Sequence, residues 1–209
     1  DSLKIFLKKE MTFKTPVSEY SVTLKEKQSE FIALLNPIAA REGFKAWLRS
    51  LRKEYHSASH ICWAFRIMGH QKVLENSSDA GEPPGSAGLP IIYALKRANV
   101  INAGLAIVRY FRGTQLGKRG LSLAYAKAAE KVIASGKLKP WIDWVKYGIT
   151  CPLEYYGDLS SGLMRLGGKI ISDNSANHIS WQTRIPRTKI NELILLVRNA
   201  THGQGDLDL

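Results

Sequence analysis

Two segments carry most of the residues able to do chemistry. The first, Ser78-Asp79-Ala80-Gly81-Glu82-Pro83-Pro84-Gly85-Ser86-Ala87-Gly88-Leu89-Pro90, sets three glycines and three prolines around two carboxylates. It predicts a rigid loop opening into a helix, whose first backbone N–H groups can hold an anion. The same residues also make a plain connector, in which Ser86 caps the helix and Asp79 and Glu82 form turn hydrogen bonds. The loop alone does not separate the two. The second, Arg109-Tyr110-Phe111-Arg112-Gly113-Thr114-Gln115-Leu116-Gly117-Lys118-Arg119-Gly120-Leu121, interleaves four cations, two aromatic rings and three glycines. Cations neutralise phosphates, aromatic faces stack on bases, and glycine lets a polymer approach the backbone closely. The alternative buries Tyr110 and Phe111 in the core and leaves the cations solvated. Two such loops at strand-to-helix transitions favour binding.

Familiar catalytic signatures fail on spacing. Gly113 to Arg119 has three residues between its glycines where a P-loop has four, and Arg119 stands where Ser or Thr would hold magnesium. Ser86 follows Pro84-Gly85 and lacks a nucleophile elbow. His56 and His60 are four apart, but Ser57 replaces the glutamate of a zinc protease and the pair straddles a helix-to-strand junction. Cys62 has no partner base, and Asp79 with Glu82 supplies too few ligands for a cation cage. No metal, cofactor or covalent step is expected.

The charge distribution agrees with a phosphate-bearing partner. Of the net +12, residues 1–138 carry +11, from 22 Lys and Arg against 11 Asp and Glu, while residues 139–209 carry +1. No acid lies between Glu82 and Glu130, a span holding Lys96, Arg97, Arg109, Arg112, Lys118, Arg119 and Lys127. Such a field attracts nucleic acid, nucleotides or anionic surfaces. The composition is 44% hydrophobic, that of a folded protein, and no apolar run approaches the roughly 20 residues of a membrane span. Cys62 and Cys151 read as isolated buried thiols, and a cytoplasmic, non-membrane protein is expected.

The elements that must position these loops follow from periodicity. Strands are predicted at Tyr20–Leu24 and Ser29–Leu35, and an amphipathic helix through Ala40, Phe44, Trp47, Leu48 and Leu51. The alternation of Ile61, Trp63, Phe65 and Ile67 predicts a half-buried strand. A polar stretch from Gly69 to Gly88 follows, then a helix after Pro90, a buried strand at Leu105–Val108, and a helix from Leu121 that stops near Gly136. Lys137-Leu138-Lys139-Pro140 reads as a boundary. Beyond it come a strand (141–150), a helix (153–166), strands at 169–172 and 179–185, a helix (189–199) and a short last strand at 206–209. The reading is α+β in two domains, 13–138 and 139–209, preceded by an N-terminal extension or tag at 1–12.

The two loops resemble the IMPACT/YigZ family pattern D-D-G-E-P-x-G-T-A-G-x-P followed by R-Y-F-G-G-x-x-L-G-x-G-G-L-x-x-A-Y. Asp79, Gly81, Glu82, Pro83, Gly85, Ala87, Gly88 and Pro90 match the first part. Arg109 to Phe111, Gly113, Leu116, Gly117, Gly120, Leu121, Ala124 and Tyr125 match the second. Lys27 to Phe31 and Ala58 to Ala64 are similar to two earlier family segments. Ala80, Ser86, Arg112 and Arg119 depart from the pattern, removing one carboxylate and adding two cations.

The resemblance implies a first domain like the second domain of ribosomal protein S5 and a ferredoxin-like second domain. It also implies a link to translation regulation. Arg109, Arg112, Lys118, Arg119 and Ser86 are the expected phosphate contacts, with Tyr110 as the stacking platform. The leading function is non-enzymatic binding of nucleic acid, as RNA or the ribosome. The alternatives are an enzyme on a phosphorylated small molecule using Glu82 or His60 as acid/base, and a regulator that binds a protein partner.

Overall fold

The computed structural model describes residues 12–69, 72–113 and 115–208. The extension read at 1–12 lies outside them apart from Thr12, as does Leu209 of the last expected strand. The chain divides into two compact units, one ending at Trp141 and one running from Ile142 to Leu209.

The first unit is built from β1 (Lys14–Pro16), β2 (Tyr20–Glu26), β3 (Ser29–Pro37), α1 (Arg41–Glu54), β4 (His60–Met68), β5 (Val73–Ser78), α2 (Gly88–Arg97), β6 (Ala103–Tyr110), α3 (Gly117–Ser135) and β7 (Leu138–Pro140). Five strands form one antiparallel sheet in the order β2-β3-β6-β4-β5. Alternate residues of a strand face opposite sides, and here both sides are covered. Phe31, Ala33, Leu35, Cys62, Ala64, Leu105 and Ile107 pack under α2 and α3. The opposite parity meets α1, whose Phe44, Leu48 and Leu51 join Leu34, Phe65, Ile67, Ala106 and Val108.

The structure corrects three expectations in this unit. β4 is not half-buried: Cys62 and Ala64 are as enclosed as Phe65 and Ile67, because helices lie on both faces. The polar stretch contains the edge strand β5, none of whose residues is buried, so no hydrophobic alternation marks it. The segment read as a boundary contains β7, which pairs with β1.

α1 lies close to the sheet because β6 has a glycine beneath it. A Cβ on Gly104 would sit 2.8 Å from Phe44 Cδ2 and 2.9 Å from Trp47 Cζ3.

The second unit comprises β8 (Trp144–Pro152), α4 (Tyr156–Arg165), β9 (Lys169–Asp173), β10 (His178–Pro186), α5 (Ile190–Ala200) and β11 (Asp206–Asp208). Its antiparallel sheet has the order β11-β8-β10-β9. The helix expected from Leu153 begins as a 3-10 turn over Leu153–Tyr155 before α4. Ile149, Cys151, Ile179, Trp181 and Ile185 face Leu159, Leu163, Leu193 and Val197 of the helices with Thr183 buried beside them, and the strand residues of opposite parity are exposed or half-buried.

Gly104→Ala is expected to push α1 off the sheet and destabilise the protein by about 1–3 kcal/mol, read by denaturant unfolding.

Candidate anion-binding site

Residue parity on β4 and β6 decides what reaches the site. His60, Cys62 and Arg109 share the α2/α3 face of the sheet, whereas Tyr110 points to the α1 face and packs with Leu34, Leu51 and Val108. Tyr110 is therefore not the stacking platform. The neighbouring Phe111 leaves the strand, is 40% exposed and lines a cavity of about 370 Å3. Sequence reasoning placed both rings in the loop but could not tell which one the strand would turn inward. Ser59, His60, Glu82, Arg109, Gly117 and Lys118 also line this cavity.

The cavity wall is a buried polar cluster. Arg109 is 5% exposed and Glu82 is 7% exposed. Arg109 Nη1 donates to Glu82 Oε1 at 2.7 Å, and the Tyr125 hydroxyl donates to the same oxygen at 2.8 Å. Arg109 Nη2 donates to Ser29 Oγ at 3.2 Å, and the guanidinium lies 5.5 Å from the Phe31 ring centroid and 5.2 Å from that of Phe111. The Cys62 thiol donates to the Asp79 carbonyl at 2.9 Å and lies 3.3 Å from the Tyr125 hydroxyl oxygen. Burial pushes its pKa up to about 12, which keeps it protonated and a poor nucleophile at neutral pH. His60 Nδ1 is 3.0 Å from the Ala80 carbonyl oxygen. That contact assigns the proton to Nδ1 and leaves Nε2 as an acceptor.

The first loop folds around Asp79. Its Oδ1 accepts from the N–H groups of Ala87 and Gly88, and its Oδ2 from that of Gly85, each at 2.9 Å. Burial opposes the charged form, but these hydrogen bonds and the positive charge of Lys118 outweigh it and hold the Asp79 carboxyl below its ordinary range. Gly88 is required here because a Cβ would lie 2.9 Å from the backbone of Ser78. The N-terminus of α2 is thus closed by a carboxylate from within the chain, which corrects the expectation that it would hold an external anion. Ser86 is also displaced from the binding set: it is fully buried, and its hydroxyl donates to Pro83 O at 2.7 Å rather than capping the helix. Glu82 and Asp79 are both engaged by groups within the protein.

The N-terminus of α3 is different. Leu116 precedes it, no side chain caps it among the described residues, and its first turn has no acid but carries the exposed Lys118 and Arg119. Two cations at the positive end of a 19-residue helix are unfavourable without an anion. Arg112 is 71% exposed at its side chain and only loosely paired with Glu30, at 3.6 Å. Gly113 and Gly117 take φ of 98° and 68°, a conformation that suits glycine and turns the loop into the helix. Gly120 lies within the first turns of α3, and Gly81 and Gly85 shape the first loop at φ of 90° and 75°. Lys118 reaches the cavity together with Arg109; Arg112 and Arg119 do not line it.

Removing either partner of the buried pair, by Glu82→Ala or Arg109→Ala, is expected to cost about 3–5 kcal/mol in denaturant unfolding, since it strands a charge away from water. Asp79 has its folded pKa below its unfolded value. Its contribution is therefore present above the unfolded pKa, about 4, and is lost as pH falls through the folded value. Asp79→Asn is expected to lower stability at neutral pH and to flatten its decline in acid, as read by unfolding midpoints across pH.

A family model described as the Impact N-terminal domain matches residues 27–133. The IMPACT family member YigZ of Escherichia coli (strain K12) is 27% identical over 196 residues, covering 93% of this chain and 95% of that protein. An IMPACT family member in the pol 5'region of Thermus thermophilus is 33% identical over 138 residues, 66% of this chain and 73% of that one. Among solved structures, a crystal structure described only as a hypothetical protein superposes with a TM-score of 0.66 at 25% identity, covering 94% of this chain and 96% of the other. With the family's domain spanning both loops and the cavity between them, this chain belongs to the IMPACT family.

Proposed function

We propose that this chain is a non-enzymatic, nucleic-acid-binding regulatory protein whose first unit takes hold of RNA, free or on the ribosome, in the control of translation. The observation that carries the reading is the acid-free N-terminus of α3, uncapped among the described residues, where Lys118 and Arg119 stand beside a cavity floored by Arg109 and edged by the exposed Phe111. Phosphate oxygens satisfy the free N–H groups and relieve the repulsion between the cations and the helix dipole. Phe111 offers a base a stacking face. The charge on Arg109 is balanced by Glu82, so Lys118, Arg119 and Arg112 supply the field.

The fold reading belongs to the same proposal. The second unit, with the element order β-α-β-β-α-β and its first strand inside the sheet between the last and the third, is read as ferredoxin-like. The first unit is read as similar to the second domain of ribosomal protein S5, a fold suited to contact with structured RNA. Cys62 and Cys151 are both free thiols, in keeping with the reducing cytoplasm where such partners reside. Among the described residues no helix is long and apolar enough to cross a membrane.

A second reading, an enzyme on a phosphorylated small molecule, is favoured by the cavity volume and by His60, whose Nε2 is left as an acceptor. In that reading Glu82 positions Arg109 rather than exchanging protons.

Fluorescence anisotropy of labelled single-stranded RNA across a salt series tests the leading reading. Lys118→Glu with Arg119→Glu is expected to weaken binding and to flatten the slope of log affinity against log salt by about 1.4, or 0.7 for each lost phosphate contact. Unchanged affinity and slope overturn it. Turnover of a phosphorylated metabolite that His60→Gln abolishes would establish the second reading instead.

A further inference from the structure

The second unit has a sheet face that no described element of that unit covers, and its side chains do not look like an ordinary solvated surface. The residues of β10 that point away from α4 and α5 are His178, Ser180, Gln182 and Arg184, and their partners on β8 are Pro152, Thr150, Gly148 and Lys146. Lys169 of β9 is also in register with Arg184. Laterally paired residues share a face, so Lys146, Arg184 and Lys169 form a row of three cations across three neighbouring strands, about 10 Å long. Like charges directly opposite one another destabilise a sheet. Yet Lys146 and Lys169 have no ion-pair partner among the described residues, while nearby Arg187 and Lys189 are paired with Asp143 and Glu192.

An aromatic ring adjoins the row. Trp144 is two residues before Lys146 on the same face, and the Arg184 guanidinium lies 4.8 Å from its ring centroid. Beyond the cations the surface is low and polar, with Gly148 at its centre and Gln182, Ser172, Ser180 and Thr150 around it. Asp206 and Asp208 of β11 face the same side, opposite Thr150 and Gly148. They exclude a polyanion from that edge and confine it to the side of β9.

We propose that this face, centred on Lys146, Arg184, Lys169 and Trp144, is a second binding surface for single-stranded nucleic acid. The cation row takes the phosphates, the Trp144 ring with its stacked guanidinium takes a base, and the amide and hydroxyl groups take base edges. Four-stranded sheets with an exposed aromatic bind single-stranded RNA in this way. A flat floor with a planar ring and neutral hydrogen-bonding groups matches bases and sugar-phosphate better than it matches an acidic peptide, which would use the cations and leave the ring and amide unmatched. The surface belongs to the second unit and the cavity to the first.

The test uses the full chain and a fluorescein-labelled oligouridylate in anisotropy titrations across a salt series. Lys146→Gln with Lys169→Gln removes two cations without touching the core. It is expected to reduce the salt slope by about 1.4, which at about 0.1 M salt corresponds to roughly 25-fold weaker binding. Its thermal midpoint should be unchanged or higher, because the repulsion within the row is relieved. Trp144→Ala is expected to weaken binding at least about fivefold with the slope unchanged. Unchanged affinity and slope in the double lysine variant overturn the proposal. So does loss of polyglutamate binding in that variant with RNA binding intact, which would assign the face to an acidic protein segment. The same losses should appear in the Lys118→Glu, Arg119→Glu background, so the two surfaces stand or fall separately.

Discussion

A guanidinium and a carboxylate withdrawn from water must neutralise each other and find partners for their remaining hydrogen-bonding groups. Arg109 and Glu82 do this at the junction of four elements of the first unit, save for Arg109 Nε, which is buried with no hydrogen-bond partner among the described residues. Arg109 ends β6 and reaches Ser29 at the start of β3; Glu82 sits in the loop before α2 and accepts from Tyr125 of α3. The Phe31 ring beneath the guanidinium meets Tyr125 edge-on at 5.2 Å, so the polar cluster is also packed against the core. Because breaking such a pair costs far more than forming it yields, the cluster constrains where the first loop lies against the sheet. The position of the loop in turn sets one wall of the cavity.

The two helices that flank the cavity solve the same problem in opposite ways. Both leave N–H groups without intrahelical partners. At α2 the chain supplies its own anion, Asp79, from a loop held in left-handed turns at Ala80, Gly81 and Gly85. At α3 it supplies none and adds two cations instead. One end is therefore neutralised within the chain and the other carries Lys118 and Arg119, although the sequence around both is rich in glycine and looks alike.

In the second unit the helices cover only one face of the sheet, so its strands keep the alternation that the first unit's strands lose. Ile179, Trp181 and Ile185 are buried, whereas His178, Ser180 and Gln182 are exposed. A sheet with one free face can carry a surface of its own chemistry without disturbing the core. The lateral register places Lys146, Arg184 and Lys169, which are 38 and 15 residues apart along the chain, side by side on that face.

Much of this organisation was legible in the residues alone. Apolar spacing located the three helices of the first unit, and the two loops were read at strand-to-helix transitions. The acid-free span was legible too, but its Lys96, Arg97, Arg109, Arg112 and Lys127 meet acids of other segments, and only Lys118 and Arg119 lack an ion pair among the described residues. What local pattern could not supply was the identity of each residue's neighbours. β5 is an exposed edge strand whose pairing comes from β4, so nothing in its own side chains announced it. Ser86 has the chemistry of a helix cap, but Asp79 reaches the N–H groups from eight and nine residues away. A one-residue parity turned Arg109 into the wall of the cavity and Tyr110 onto the face of α1. The sequence by itself thus determined which residues are apolar, charged or conformationally free, since those are properties of single side chains and short repeats. Only the tertiary structure decided which charges are neutralised within the protein and which remain available to a partner, because burial and pairing depend on contacts between segments far apart in the chain.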